Sequence, residues 1–272
     1  MIRLAVRVSG DDAAGVVLAE LLALSPAGVE EREVDGGVEY VIYGAAGELP
    51  ALPALQAAVG DGLVDVTSAE IADDWDERWK TWHRPITVSA GARRLRVRPP
   101  WEPAQAGHVD VVIDPAQAFG TGAHATTRLC LELLLMLEPQ GAVADWGCGT
   151  GVLAIAAAML GFAPVSAVDF DPLALTATAD NARANGVSLA SARVNLREEP
   201  GPYAATVCAN LLRPLLLDAA RLMTQAPQSL IASGLLREEA DEIVAAFAFH
   251  GLAERERRHC EQWSALLLTR GG

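Results

Sequence analysis

No stretch of this 272-residue sequence reaches eighteen uninterrupted apolar residues, although 51% of it is hydrophobic. A full-sized core is therefore expected, and a membrane-spanning helix is not. A secretory leader is not expected either: Met1-Ile-Arg-Leu-Ala-Val-Arg-Val8 alternates polar and apolar residues, as a strand does. The four cysteines, Cys130, Cys148, Cys208 and Cys260, form no C-x-x-C pair. They fit buried thiols in a reducing compartment, so the expected location is cytoplasmic. His83, His108, His250 and His259 show no ligand spacing, and no metal is expected. Basic residues are in deficit, 21 Lys and Arg against 35 Asp and Glu, for a net charge of −14. Such a surface repels nucleic-acid phosphates and attracts a basic partner, although solubility alone would also account for it.

What the chain does contain is concentrated in Val143-Ala-Asp-Trp-Gly-Cys-Gly-Thr-Gly-Val-Leu-Ala-Ile-Ala156. This reads as a buried strand, a glycine turn at Gly147, Gly149 and Gly151, and an apolar helix. Glycines there let the backbone fold sharply and approach a ligand where a Cβ would collide. A dinucleotide fingerprint would be G-x-G-x-x-G, with pyrophosphate on the helix N-terminus. Here the spacing is G-x-G-x-G with Asp145 two residues ahead, which suits a ligand with a cationic amino-acid end and no phosphate. A second strand, Pro164–Val168, leads into Asp169, eighteen residues after Gly151. A carboxylate at that strand end can accept hydrogen bonds from both ribose hydroxyls of an adenosine, at about 1.5–3 kcal/mol each. The plainer readings are a ligand-free turn, and an N-cap at Asp169 for a helix opening with Pro172. Together the two segments resemble the class I S-adenosylmethionine-dependent methyltransferases.

Along the chain, residues 1–67 read as a compact βαββαβ unit. Its pieces are a strand at Ile2–Val8, a helix over Asp11–Leu24, strands Val29–Val34 and Val38–Tyr43 around Asp35-Gly36-Gly37, a helix over Leu52–Val59 and a strand at Leu63–Val66. This pattern predicts a small α+β ferredoxin-like domain. It holds no cluster of His, Cys or carboxylates, so a recognition role is expected. Residues 68–84 read as a charged linker helix with Trp75, Trp79 and Trp82 on one stripe, packed on one domain or docked at a boundary. From residue 85 to 272, short strands at 86–88, 95–98 and 109–113 precede a regular alternation of strands and helices. The strands fall at 143–146, 164–168, 191–194, 206–209 and 229–233, and the helices at 152–160, 172–185, 212–223 and 237–249. The chain closes with strands 252–259 and 264–269, one of them antiparallel. Such alternation implies an α/β domain with a mostly parallel sheet and a ligand beyond the strand C-termini.

A more specific resemblance lies upstream of the glycine turn. Asp114-Pro-Ala-Gln-Ala-Phe-Gly-Thr-Gly-Ala-His-Ala-Thr-Thr127 resembles a segment of the ribosomal protein L-eleven methyltransferases (PrmA), which methylate amino groups of a large-subunit ribosomal protein. Asp74-Trp-Asp-Glu-Arg-Trp-Lys80, Pro99-Pro-Trp101, Val207-Cys-Ala-Asn-Leu-Leu212, Ile231-Ala-Ser-Gly-Leu-Leu236 and Glu261-Gln-Trp263 resemble further motifs of that family, in order. Residues 1–67 match it in pattern only; Ala123, Ala125 and Leu211 depart from residues common in the family. The resemblance implies a Rossmann-like class I domain with a seven-stranded sheet. It also implies S-adenosyl-L-methionine as cofactor, a basic ribosomal protein as partner and an N-terminal module that recognises it. A monomer is expected, with no direct nucleic-acid or membrane partner.

The resemblance carries cofactor contacts onto Thr127, Gly147, Asp169 and Asn210, and the residues themselves add Asp145, Gly149, Gly151, Phe119 and Thr121. Phe119–Thr127 is a glycine-containing loop able to fold over a ligand, with Thr126 or Thr127 as a helix cap in the plainer reading. Asn210, at the end of strand 206–209, is the catalytic candidate: its side-chain oxygen can accept from an amine and leave the nitrogen lone pair aimed at the methyl group. Its plainer role is a helix cap. The reaction would be in-line displacement by a neutral amine, in which alignment contributes up to roughly 7–11 kcal/mol. Deprotonating an ordinary lysine costs about 4–5 kcal/mol at pH 7, an α-amine about 1. No covalent nucleophile is needed, so Cys148 reads as structural. His124 reads as scaffold sooner than as base, and Asn195 as a neighbour of the adenine. The rivals are a small-molecule amino methyltransferase and a cofactor-binding assembly factor without activity.

Overall fold

The computed structural model describes residues 2–9, 30–34, 37–44, 63–70, 83–114 and 124–271. The chain divides into two compact units, Met1–Trp82 and His83–Gly272. The first holds a four-stranded antiparallel sheet of β1 (Ile2–Val8), β2 (Glu30–Val34), β3 (Gly37–Gly44) and β4 (Leu63–Glu70), in the order β2-β3-β1-β4. Strands β2 and β3 pair as a hairpin closing Val34 on Gly37, and the central strands bury Leu4, Val6, Val8, Val41 and Ile42. This order and direction are those of a split βαβ sandwich. The helices expected over Asp11–Leu24 and Leu52–Val59 lie outside the described residues, as do residues 71–82 of the expected linker helix, with Trp75, Trp79 and Trp82. At its edges the expectation fails, because residues 68–70 continue β4 in pairing with β1 and residues 83–84 are not helical.

The second unit opens with a three-stranded sheet, β5 (Ile86–Ala90), β6 (Arg93–Arg98) and β7 (Val109–Val112). Helix α1 (Ala125–Met136) leads into the main sheet: β8 (Val143–Trp146), α2 (Val152–Leu160), β9 (Val165–Asp169), α3 (Pro172–Ala184), β10 (Ala190–Arg193) and β11 (Thr206–Asn210). There follow α4 (Arg213–Leu222), β12 (Ser229–Leu236), a 3-10 turn at Arg237–Glu239, α5 (Ala240–Ala248), β13 (Leu252–Cys260) and β14 (Trp263–Arg270). The seven strands lie in the order β10-β9-β8-β11-β12-β14-β13. All neighbours are parallel except β14, which runs against both β12 and β13.

Apolar side chains on both faces of β8, β9 and β11 explain why this sheet needs cover on each side. One core joins α1 and α2 to the small sheet through Leu131, Leu134, Ile155, Leu95 and Val111. The other packs Leu216 of α4 and Phe247 of α5 on Val207, Leu230 and Leu266. Helix α2 is short and mostly alanine and leucine, strong helix formers. It is bounded by left-handed glycines, Gly151 (φ 80°) and Gly161 (φ 102°). Helix α3 starts with Asp171 as N-cap, its carboxylate accepting from the Leu173 N–H at 2.9 Å, and Pro172 in the first turn. This fixes the cap as Asp171, so the alternative of Asp169 as the cap is ruled out. Among the described residues, no helix is long and apolar enough to cross a membrane.

Candidate active site

A cavity of about 580 Å³ opens beyond the C-terminal ends of β8, β9 and β11. Helix α2 leaves β8 toward one face of the sheet and α4 leaves β11 toward the other, so the crevice sits where the strand order reverses. Its size suits a small-molecule or cofactor site. The structure brings Thr127, Asp145, Gly147, Gly149, Asp169 and Asn210 together on its wall. Gly151 lies behind that wall, and Phe119 and Thr121 fall outside the described residues.

The glycine turn is held from two sides. The Gly147 and Cys148 N–H groups donate to the Val168 carbonyl at 2.8 and 3.0 Å. Gly147 has φ 71°, and a Cβ there would stand 2.3 Å from Cδ2 of Leu211. Gly151 has φ 80°, and a Cβ would meet Thr178 at 2.8 Å, so its role is to start α2 against α3. From α3, the Thr178 hydroxyl donates to the Gly149 carbonyl at 2.9 Å and lies 3.2 Å from the Cys148 sulfur. Asn181 donates to the Thr150 carbonyl at 3.0 Å and accepts the Asp114 N–H at 2.9 Å. Asn185 accepts from the Val112 N–H and donates to its carbonyl. Helix α3 and its C-cap Asn185 thus brace both the turn and the residues at the end of β7. Burial pushes the Cys148 thiol up to about 12, as befits a structural thiol.

Two carboxylates face the cavity in different states. Asp145 is 1% exposed, and its Oδ2 accepts the Ala154 N–H of α2 at 3.1 Å. Burial raises its pKa to about 7; the Ala154 bond opposes this and the nearby Asp169 adds to it. Asp169 is half-buried and accepts two backbone N–H groups at 3.0 Å, Gly149 on Oδ2 and Asp171 on Oδ1. A carboxylate has about four lone-pair sites, so each oxygen keeps one for a ligand donor.

Across the cavity, the Asn210 amide nitrogen donates to the Thr127 hydroxyl at 3.3 Å. Asn210 does not cap α4, whose N-cap is Leu212 without a side-chain bond. Neither does Thr126 or Thr127 cap α1. That position belongs to His124, whose Nδ1 accepts the Thr126 N–H and lies 2.8 Å from its hydroxyl. Both threonines already sit inside the first turn, while His124 has extended backbone and a ring nitrogen aimed at the open N–H groups. Burial lowers the His124 pKa against the opposing pull of Glu261, which suits an accepting nitrogen. The ring also stacks edge-on against Trp263, with centroids 5.0 Å apart. The Glu261-Gln-Trp263 motif therefore forms the hairpin tip that seats the α1 cap, with Glu261 at φ 54°.

Sequence reasoning missed Phe170, Val194, Leu196, Arg197, Leu211 and Leu215 on the wall, and with them Val152 and Leu153 of α2. Most follow a strand, whereas Val152, Leu153 and Leu215 lie in the first turn of a helix, and only the sheet order reveals their neighbours. Asn195 also lines the cavity, with its side-chain oxygen accepting the Arg197 N–H at 3.2 Å. Among the described residues, no group of three His, Cys, Asp or Glu is arranged to hold a metal ion.

Numbered from β8, the sheet order is 3-2-1-4-5-7-6 with the seventh strand reversed, and the cavity lies at the strand 1 to strand 4 switch. The fold is that of the class I methyltransferases, a Rossmann-like architecture. Residues 51–271 match the family model described as ribosomal protein L11 methyltransferase (PrmA), and the chain belongs to that family. A protein of Pelotomaculum thermopropionicum named ribosomal protein L11 methyltransferase is 45% identical over 204 residues, 71% of this chain and 65% of that protein. One from Pseudomonas aeruginosa with the same name is 40% identical over 220 residues, 77% of this chain and 74% of that protein. The match to the first of these relatives thus spans just under two thirds of its length. The crystal structure of a ribosomal protein L11 methylase from Lactobacillus delbrueckii subsp. bulgaricus superposes with a TM-score of 0.58 at 27% identity. It covers 68% of this chain and 99% of that one.

Proposed function

We propose that the protein transfers methyl groups from S-adenosylmethionine to amino groups of ribosomal protein L11, in the cytoplasm. The observation that carries this reading is the convergence of Asp145, the glycine turn, Asp169, Thr127 and Asn210 on one cavity in a chain of this family. The residues fit the cofactor. Asp169 keeps one acceptor site on each oxygen for a pair of vicinal hydroxyls. Asp145 is a buried carboxylate whose charged form needs a cationic partner, such as the α-ammonium of a methionine end. Gly147 and Gly149 leave room for close backbone approach, and the apolar side chains of Val194 and Leu196 suit a nucleobase. When bound, the cofactor supplies a methyl group already activated on its sulfonium.

The chain's own part is to orient the acceptor. The Asn210 nitrogen is engaged by Thr127, so its oxygen is the group left to accept an N–H from an incoming neutral amine. That bond would turn the amine lone pair toward the methyl group, and alignment carries the rate. Lining groups around Asn210 are apolar at Leu211 and Leu215, which favours the uncharged amine. We further assign substrate recognition to residues 1–67, a linking role to 68–84 and catalysis to 85–272.

Mass spectrometry of purified ribosomal protein L11 after incubation with the full chain and S-adenosylmethionine tests this. Methyl-sized mass gains are expected, slowed about 100-fold in Asn210→Ala by lost alignment. Cofactor binding with no gain on L11 would point instead to a small-molecule acceptor or an inactive module.

A further inference from the structure

Arg193 stands beside the cavity with no part in the chemistry above. Phe170, its neighbour, follows Asp169 directly and borders the cavity, yet it is 56% exposed. A phenyl ring just past a strand end, half in water, has several open rotamers unless something restrains it. Arg193 supplies that restraint from the last position of β10, in register with Asp169. Its Nε donates to the Phe170 carbonyl at 2.9 Å, and its guanidinium carbon lies 4.6 Å from the centre of the Phe170 ring. The next residue, Val194, donates its N–H to the Asp169 carbonyl at 3.0 Å. One side chain therefore grips both the backbone and the ring of the residue that adjoins the diol-facing carboxylate.

We infer that Arg193 is a positioning residue that holds the Phe170 ring as a wall of the compartment for the base of an adenosine-bearing cofactor. This rests on the cofactor reading above. Arginine suits the task because its planar guanidinium covers an aromatic face and donates in its own plane at once; lysine keeps the charge but lacks the fork. An arginine that merely shielded the β10 edge would contribute to folding stability whatever stood at position 170. One that acts through Phe170 would affect cofactor affinity only while the ring is present.

A double-mutant cycle in affinity for S-adenosylhomocysteine, measured by calorimetric titration of the full chain, separates these cases. Arg193→Ala is expected to weaken binding about three- to tenfold, with the loss in KM for the cofactor and not in kcat. In a Phe170→Ala background the same change should cost less than twofold, and Arg193→Lys should recover part of the affinity. Equal losses in both backgrounds, or no loss in either, would overturn the inference alone. A wild-type protein that does not bind S-adenosylhomocysteine would overturn the cofactor reading and this inference with it.

Discussion

Asp145 and Asp169 sit near the ends of adjacent parallel strands, one residue type at two neighbouring places, and they meet opposite conditions. Asp169 reaches solvent and is oriented by two backbone donors, which fix its direction and leave acceptor sites open. Asp145 is sealed beneath the glycine turn with one backbone bond from α2, and burial pushes its pKa to about 7. The first carboxylate keeps acceptor sites open, as the hydroxyl donors of the proposed cofactor would need. The second costs stability when charged, and a bound cation would relieve that cost. What separates their roles is the depth of the strand position, not the chemistry of the side chain.

Replacing the buried member should break the comparison most. Because the folded pKa of Asp145 lies above the ordinary carboxylate value, the folded protein holds this proton where the unfolded chain releases it. Its contribution is intact below about pH 4 and is lost as the pH rises through about 7. From 3.8 to about 7 this amounts to something on the order of 4 kcal/mol. Asp145→Asn keeps an acceptor for the Ala154 N–H without the charge. It should raise the unfolding free energy of the unliganded protein by up to about 4 kcal/mol at pH 8 and leave it nearly unchanged at pH 4. Denaturant titrations at both pH values would show this, and equal effects at both would count against the buried charge.

A tenfold effect comes next. If the bound state requires charged Asp145, cofactor affinity should be about tenfold weaker at pH 6 than at pH 8, and Asp145→Asn should flatten that dependence. The smallest effect sharpens the contrast from outside the cavity. Asp171→Ala removes only the cap of α3 and should cost about 1 kcal/mol of stability while cofactor affinity holds within twofold, read by thermal melts and titration.

Much of this was legible in the sequence because the second unit repeats a simple signal. Short apolar runs, broken by glycine, proline or aspartate, mark the central strands β8, β9, β11 and β12, and the polar edge strands β10 and β13 also fall within a few residues of their expected places. The antiparallel final pair followed from its short connection. What sequence could not supply was neighbourhood. Phe170, Leu196 and Leu211 look like ordinary loop apolars until the order β9-β8-β11 sets them around one crevice. The strand read as 229–233 runs on to Leu236 through an irregularity at Gly234, where a Cβ would stand 2.4 Å from the Leu211 carbonyl oxygen. The sequence does not single out His124 as a cap, because imidazole is not among the usual capping groups. Its selection depends on Trp263 and Glu261, more than a hundred residues away in the chain.

The central claim is that the two carboxylates hold opposite ends of one ligand. Calorimetric titration of the wild type, Asp169→Ala and Asp145→Asn tests it, using S-adenosylhomocysteine beside methylthioadenosine, which lacks the amino-acid end. Asp169→Ala should weaken both ligands by roughly 100-fold or more, for two charge-assisted bonds lost. Asp145→Asn should weaken S-adenosylhomocysteine alone. Equal losses for both ligands in both variants, or undiminished binding in Asp169→Ala, would contradict the account.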